Sequence, residues 1–201
     1  MRLVFASNNA HKLEEVRAIM PEGTEVLSLH DIGFEQEIDE TGTTLAENSD
    51  IKARTVYEWI MTNGGVLGEG QKGIDGVFAD DTGLEIDALD GKPGVYTARW
   101  AGEPAANRAK ALSELADKTD RGAQFRTVIT WLNGNEKIQV EGIVRGKIAT
   151  EEYGEGGFGY DPIFIPDGYE KTFGELPVEV KNAISHRGRA LTELVKVLRK
   201  K

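Results

Sequence analysis

Residues 125–132 and 137–148 are two long runs rich in Val, Ile, Thr and aromatic side chains, with Asn133-Gly134 at the break. Such runs read as strands, and Asn-Gly between them is a strong signal for a type I′ hairpin connection. A chain with this feature must build an antiparallel pair and enough apolar surface to cover it. Elsewhere the pattern changes. Residues 2–6 and 25–29 read as short strands, and 104–118 reads as a helix with Ala105, Ala109, Leu112 and Leu115 on one face. Strand–helix units beside a long hairpin imply an α/β fold with a mixed sheet.

At 201 residues the chain has core enough for one domain or two closely packed lobes. It has no cysteine, which rules out disulfides, a thiol nucleophile and a Cys-based zinc site. No apolar run is long enough for a membrane span, and Met1-Arg-Leu-Val-Phe5 lacks a signal-peptide pattern, so a cytoplasmic protein without membrane contact is expected. A net charge of −10 argues against general binding to nucleic acid. The glycine-rich segment 63–76 reads as a loop, with Glu69–Lys72 its most loop-like part.

Three helix starts carry the chemistry. The first follows the strand 2–6, where Ser7-Asn8-Asn9-Ala10-His11-Lys12 turns into a helix with Leu13, Val16, Ile19 and Met20 on its apolar face. A strand that ends in a small polar turn offers backbone N–H groups to phosphate, and Asn8 or Asn9 tolerates a left-handed conformation there. The second is Asp39-Glu-Thr-Gly-Thr-Thr44, leading into a helix over 44–62 with Thr43 or Thr44 as cap. Asn48 and Lys52 share a face at i,i+4, and Glu40 stands just before the helix, so Glu40 and Lys52 are expected to project toward one cavity. The third is Lys181-Asn-Ala-Ile-Ser185-His-Arg-Gly188, with Ser185 as cap and Leu191, Leu194, Val195 and Leu198 as the stripe behind it. His186 and Arg187 then sit in the first turn, where the helix dipole disfavours a cation by a few tenths to about 1 kcal/mol. Cations set against a dipole suit an acceptor-rich ligand in front of them.

Between these lies Val77-Phe-Ala-Asp80-Asp81-Thr82-Gly83, an apolar strand expected to end in two carboxylates. Strand alternation sends Asp80 and Asp81 to different faces, one expected as a structural cap and the other as a metal ligand. Magnesium takes one or two protein carboxylates with phosphates and water, and Glu40 with Asp81 or Asp80 fits that preference. Gly154-Glu-Gly156-Gly-Phe-Gly159 matches G-x-G-x-x-G, but Pro162 and the apolar run after it predict an extended segment over 160–165 rather than a helix. A Rossmann reading is therefore rejected. What remains is a glycine loop presenting Phe158, Tyr160 and Asp161 for stacking on a planar ring. No G-x-x-x-x-G-K-[ST] is present, so P-loop readings fail as well.

Six segments in order carry a resemblance: 7–12, 40–52, 78–84, Pro-Gly-Val-Tyr-Thr-Ala-Arg-Trp-Ala-Gly (93–102), Gly-Gly-Phe-Gly-Tyr-Asp-Pro-Ile-Phe (156–164) and 181–188. Together they resemble the inosine triphosphate pyrophosphatase family, over nearly the whole chain. The resemblance implies an elongated mixed β-sheet flanked by helices, in one domain over 1–201 whose two lobes flank the active-site cleft. It implies Mg²⁺-dependent hydrolysis of dITP, ITP and XTP to the monophosphate and pyrophosphate by water attack at the α-phosphorus. Ser7, Asn8, Asn9, Ala10, His11, Lys12 and Lys52 then hold phosphates, Glu40 and Asp81 the metal, and Asp81 accepts the proton. Thr82 contacts substrate, while Phe158, Gly159, Tyr160, Asp161, Lys181, His186 and Arg187 surround base and ribose. A homodimer is implied too, with 93–102 as packing near the cleft or as subunit contact. Donors from His186 or Arg187 suit a C6 carbonyl and an acceptor at Asp161 suits N1–H, which predicts strong rejection of ATP and weaker rejection of GTP. The alternatives are a pyrophosphatase of another base preference and a nucleotide sensor without turnover.

Overall fold

The computed structural model describes residues 1–63, 73–134 and 136–200. Most of the 63–76 segment, including Glu69–Lys72, lies outside the described residues. In chain order the elements are β1 (Arg2–Phe5), α1 (Ala10–Ile19), β2 (Glu25–Leu27), α2 (Leu45–Thr62), β3 (Gly76–Ile86), β4 (Pro93–Gly94), α3 (Pro104–Glu114), β5 (Gly122–Asn133), β6 (Glu136–Ile148), β7 (Phe164–Pro166), α4 (Val178–Ile184) and α5 (His186–Leu198). The strands form a mixed sheet in the order β2-β1-β3-β5-β6-β7, with β4 beside β3. β1 is parallel to β2 and β3, while β4 runs antiparallel to β3 and β7 to β6. α1 and α2 supply the crossovers that parallel neighbours require. No helix among the described residues is long and apolar enough to cross a membrane.

The chain divides into two compact units. The first takes the described residues of Met1–Asp81, Val128–Glu141 and Ala190–Lys201. There, Leu3 and Phe5 of β1 and Phe78 of β3 pack with Val16 of α1 and Leu191 and Leu194 of α5. Val4, Ala6, Val77 and Ala79 face the other way, against Ala53, Val56 and Ile60 of α2. Helices on both faces explain why these strands read as unbroken apolar runs rather than alternating ones. Phe5 and Phe78 stack at 5.0 Å between centroids, a contact worth about 0.5–1.5 kcal/mol beyond burial. The second unit, Thr82–Thr127 and Gly142–Arg189, is built on Leu84, Ile86, Leu115, Phe125, Ile163, Phe164 and Phe173.

Several boundaries differ from the sequence expectations. β5 runs one residue further than expected, to Asn133, and β6 starts one residue earlier, at Glu136; Gly134 takes a positive φ, at 59°. β3 does not end at Asp80 and Asp81 but runs through them to Ile86, because lysines meet both carboxylates. α3 stops at Glu114; Leu112 and Leu115 pack on the core as expected, but Ala105 and Ala109 are exposed while Asn107 and Ala111 are buried. Asn107 earns its burial as a cap: its Oδ1 accepts Ala101 N–H at 2.5 Å and its Nδ2 donates to Ala98 O at 3.2 Å. The extended segment expected over 160–165 is a 3-10 turn at Asp161–Ile163, followed by β7. The strand expected over 25–29 is shorter, Glu25–Leu27.

Candidate active site

In the first unit, two helix starts and one strand deliver five charged side chains. Asn9 caps α1 from an extended conformation (φ −81°, ψ 109°), not a left-handed one, with Oδ1 accepting Lys12 N–H at 3.1 Å. Ser7 Oγ accepts Asn9 N–H at 3.2 Å, so this turn is held by its own side chains. Asn8, Asn9, Ala10 and His11 are exposed along it. Thr44 caps α2 in a reciprocal box: its hydroxyl accepts Glu47 N–H at 3.1 Å and Glu47 Oε2 accepts Thr44 N–H at 3.1 Å.

β3 alternation then sorts the carboxylates. Phe78 belongs to the α1–α5 side and Val77 and Ala79 to the α2 side, so Asp80 must face α1 and Asp81 must face α2. Accordingly, Lys12 Nζ of α1 lies 3.0 Å from Asp80 Oδ1, and Lys52 Nζ of α2 lies 3.2 Å from Asp81 Oδ1. Lys52 also donates to Glu40 Oε2 at 2.9 Å, bridging the two carboxylates that spacing had singled out. Asp80 is 1% exposed, and Asp81 and Lys52 are each 8% exposed.

Burial pushes the Asp81 carboxyl above the usual carboxylate range, against the pull of the Lys52 and Lys12 charges; Glu40 and Asp80 add to the rise. For Lys52, burial pulls the ammonium down, but the charges of Asp81, Asp80 and Glu40 outweigh it and hold the group above its ordinary value. The second Asp81 oxygen, Oδ2, is buried without a hydrogen-bond partner among the described residues. Glu40 and Asp81 thus present hard oxygens around one cation, with an acceptor left over, which suits a hard divalent ion completed by phosphate and water. Two lysines also face three carboxylates, so a triphosphate meets no surplus of positive charge unless a divalent cation supplies it. Among the described residues, no group of three or more His, Asp or Glu could hold a metal unaided.

In the second unit, Ser185 Oγ accepts Gly188 N–H at 3.1 Å and so starts α5 as expected. His186 stacks on Phe125 at 4.6 Å with 19° between planes. Arg187 is 2% exposed, with Nη2 3.3 Å from Thr82 Oγ1 and its guanidinium carbon 5.8 Å from the Phe158 ring centre. Lys181 Nζ lies 4.9 Å from the same ring centre. Phe158, half-buried, is therefore flanked by two cations.

The glycine loop does not present all three predicted side chains. Asp161 Oδ2 accepts Phe158 N–H at 2.7 Å and Lys181 Nζ at 2.6 Å, so that oxygen fixes the turn instead of waiting for a base. Gly157 closes against this carboxylate at φ +71°, where a Cβ would be both strained and blocked. Tyr160 is buried and donates its hydroxyl to Thr97 O at 2.8 Å; burial raises its pKa, which keeps the donor protonated. Gly159 O accepts Arg108 Nη1 at 2.9 Å. Sequence reasoning missed Arg108, Phe125 and Thr127, whose hydroxyl lies 2.7 Å from that of Thr82. Each acts through another residue from a distant element, and no local motif marks it.

By fold and side-chain inventory the chain falls in the class of mixed-sheet α/β pyrophosphatases. The model of the Ham1 family matches residues 3–197, and the chain belongs to that family. It is 46% identical over 202 residues to the dITP/XTP pyrophosphatase of Flavobacterium johnsoniae, covering 98% of each chain. It is 45% identical to the dITP/XTP pyrophosphatase of Bacillus subtilis, over 97% of this chain and 96% of that one. Among solved structures, the Staphylococcus aureus Ham1 protein matches with a TM-score of 0.83 at 37% identity, covering 100% of this chain and 99% of that one. A HAM1 protein from Coxiella burnetii matches with a TM-score of 0.84 at 36% identity over 100% of both chains.

Proposed function

We propose that this protein hydrolyses the non-standard purine nucleoside triphosphates dITP, ITP and XTP to the monophosphate and pyrophosphate, with Mg²⁺ as cofactor. The observation that carries the reading is Lys52 bridging Glu40 and Asp81 while Asp81 Oδ2 stays buried and unpartnered. The relatives named dITP/XTP pyrophosphatase support the substrate class.

In this reading Glu40 and Asp81 hold the metal, which when bound supplies positive charge against the phosphate oxygens. The 7–12 turn gives N–H groups to the phosphates, and Lys12 and Lys52 add cationic donors. Asp81 is the proton acceptor for the attacking water: its raised pKa makes the carboxylate a stronger base than an exposed aspartate. Thr82 contacts the substrate. Phe158 stacks on the base, His186 and Arg187 give donors to its C6 carbonyl, and Lys181, with Asp161 and Gly159 supporting the turn, completes that side. The same reading places the protein in the cytoplasm with the nucleotide pool, acting as a homodimer through 93–102, where Tyr96 is exposed.

The test is pyrophosphate release from ITP, XTP, GTP and ATP with Mg²⁺, beside an Asp81→Asn variant. Release from ITP and XTP, lost in the variant, is expected. Equal release from all four discards the base-reading roles but keeps the reaction. Release from none, with binding retained, leaves a nucleotide sensor.

A further inference from the structure

Asn48 lies fully buried on α2, one turn before Lys52 on the same face. Its Oδ1 accepts the Gly42 N–H at 2.8 Å, which fixes the amide's orientation, because a backbone N–H bonds only the oxygen end. The Nδ2 end is buried with no hydrogen-bond partner among the described residues. A buried amide that leaves its donor unmet is retained for its acceptor. Gly42 is pressed against that acceptor: a Cβ there would come within 2.6 Å of Asn48 Oδ1 and 2.7 Å of Glu47 Cβ. The next two N–H groups, of Thr43 and Thr44, both go to Glu47 Oε2, at 2.7 and 3.1 Å. Every backbone donor of the 42–44 turn is thus tied to the first turns of α2, and Glu40 stands two residues before it.

We propose that Asn48 is a positioning residue for Glu40: through Gly42 it locks the turn that carries this carboxylate to the helix that carries Lys52, and so sets affinity for the divalent cation. The inference rests on the assignment of Glu40 as a metal ligand made above. Groups that orient metal ligands without touching the ion typically change its affinity by about 10–100-fold when lost. Without Asn48, Gly42 N–H loses its acceptor and Glu40 samples positions away from Asp81.

The test is Mn²⁺ binding to the nucleotide-free protein, followed by electron paramagnetic resonance, in wild type, Glu40→Gln, Asn48→Ala, Gly42→Ala and the Asn48→Ala/Gly42→Ala double variant. Glu40→Gln should abolish binding at this site, and Asn48→Ala should weaken it about tenfold. Gly42→Ala strikes the same bond from the half-exposed turn, so the question stays open to test even if Asn48→Ala folds poorly. It should weaken binding at least as much, since its Cβ also meets Glu47 Cβ, and the double variant should be no worse than Gly42→Ala alone, because the bond to Asn48 is already lost there. Unchanged affinity in Asn48→Ala and Gly42→Ala, or single effects that multiply in the double variant, overturns the inference while Glu40→Gln still loses the ion. Binding unchanged in Glu40→Gln overturns the metal assignment, and the inference with it.

Discussion

Lys52→Met removes a cation from between two carboxylates while changing side-chain volume little. Nζ lies 2.9 Å from Glu40 Oε2 and 3.2 Å from Asp81 Oδ1. At an effective dielectric constant of about 20 the shorter-range attraction in such a pair is roughly 5 kcal/mol, and desolvation of the two ions takes back most of it. Deleting one partner is a different operation, because the remaining buried charge keeps its desolvation cost without compensation, about 3–5 kcal/mol. The Glu40 side chain is 33% exposed and water screens it, so Asp81 dominates and the low end, about 3 kcal/mol near neutral pH, is expected. For a chain of this size that lowers the thermal midpoint by about 6–12 °C. The pH dependence supplies the sharper check. Burial already raises the Asp81 pKa, and Lys52 is the largest influence opposing it, so the variant's carboxyl rises further. A folded pKa above the unfolded one means stability is fully present below the unfolded value and is lost as pH climbs through the folded one. The stability gap between variant and wild type should therefore shrink as pH falls from neutrality toward the ordinary carboxylate range. Urea unfolding of both proteins across about pH 7.5 to 4.5 measures this gap. A gap that stays flat, or a midpoint drop under about 2 °C near neutral pH, would refute the reasoning.

If Asp81 is the base, it must be ionised to accept a proton, and burial raises its pKa; kcat/KM for ITP should then climb with pH through a limb lying above the usual aspartate range, and Asp81→Asn should abolish that limb along with the rate. A wild-type profile without such a limb removes Asp81 as the base. Ser185→Ala strips the acceptor from Gly188 N–H at the start of α5, and should cost about 1 kcal/mol, or roughly 2–4 °C in thermal midpoint. Because His186 and Arg187 follow this cap directly, the preference for ITP over ATP should narrow in the same variant; an unchanged preference would separate the cap from base reading.

Much of this was legible in the sequence, and the reason is local. Thr44 with Glu47, Asn9 with Lys12 N–H, and Ser185 with Gly188 N–H each act within three or four residues, so spacing alone exposes them. Strand alternation likewise separated Asp80 from Asp81 before any partner was known. What stayed hidden is set by elements far apart in the chain. Nothing near Asp161 announces that Lys181, 20 residues on, claims its oxygen, or that Tyr160 turns inward to Thr97, 63 residues back. Two adjacent carboxylates in β3 look like a strand end, and only Lys12 and Lys52, from other elements, let the strand continue through them. The Ala face of α3 misled because alanine gives weak periodicity, and one buried Asn with three capping partners outweighed it.

On the proposed reading, the engagement of Asp161 changes how the base must be selected. With that oxygen committed to Phe158 N–H and Lys181, the two groups set beside the Phe158 ring are donors: Arg187 and Lys181 carry N–H groups and no acceptor. Hypoxanthine and xanthine offer a C6 carbonyl to such donors, whereas adenine sets an amino group against them, donor facing donor. A site that buries an unmatched donor rejects the wrong ligand far more strongly than one that merely lacks a contact. Guanine escapes this test, since it shares the C6 carbonyl. It differs from hypoxanthine and xanthine in carrying a 2-amino donor, where they carry hydrogen and a carbonyl. Discrimination against GTP must then arise at C2, by placing that amino group among donors, and it should be weaker because the C6 contact is still made. Arg187→Ala should accordingly relax rejection of ATP much more than rejection of GTP, measured as kcat/KM ratios against ITP. Equal relaxation of both would mean that Arg187 holds the base in place without reading its C6 position.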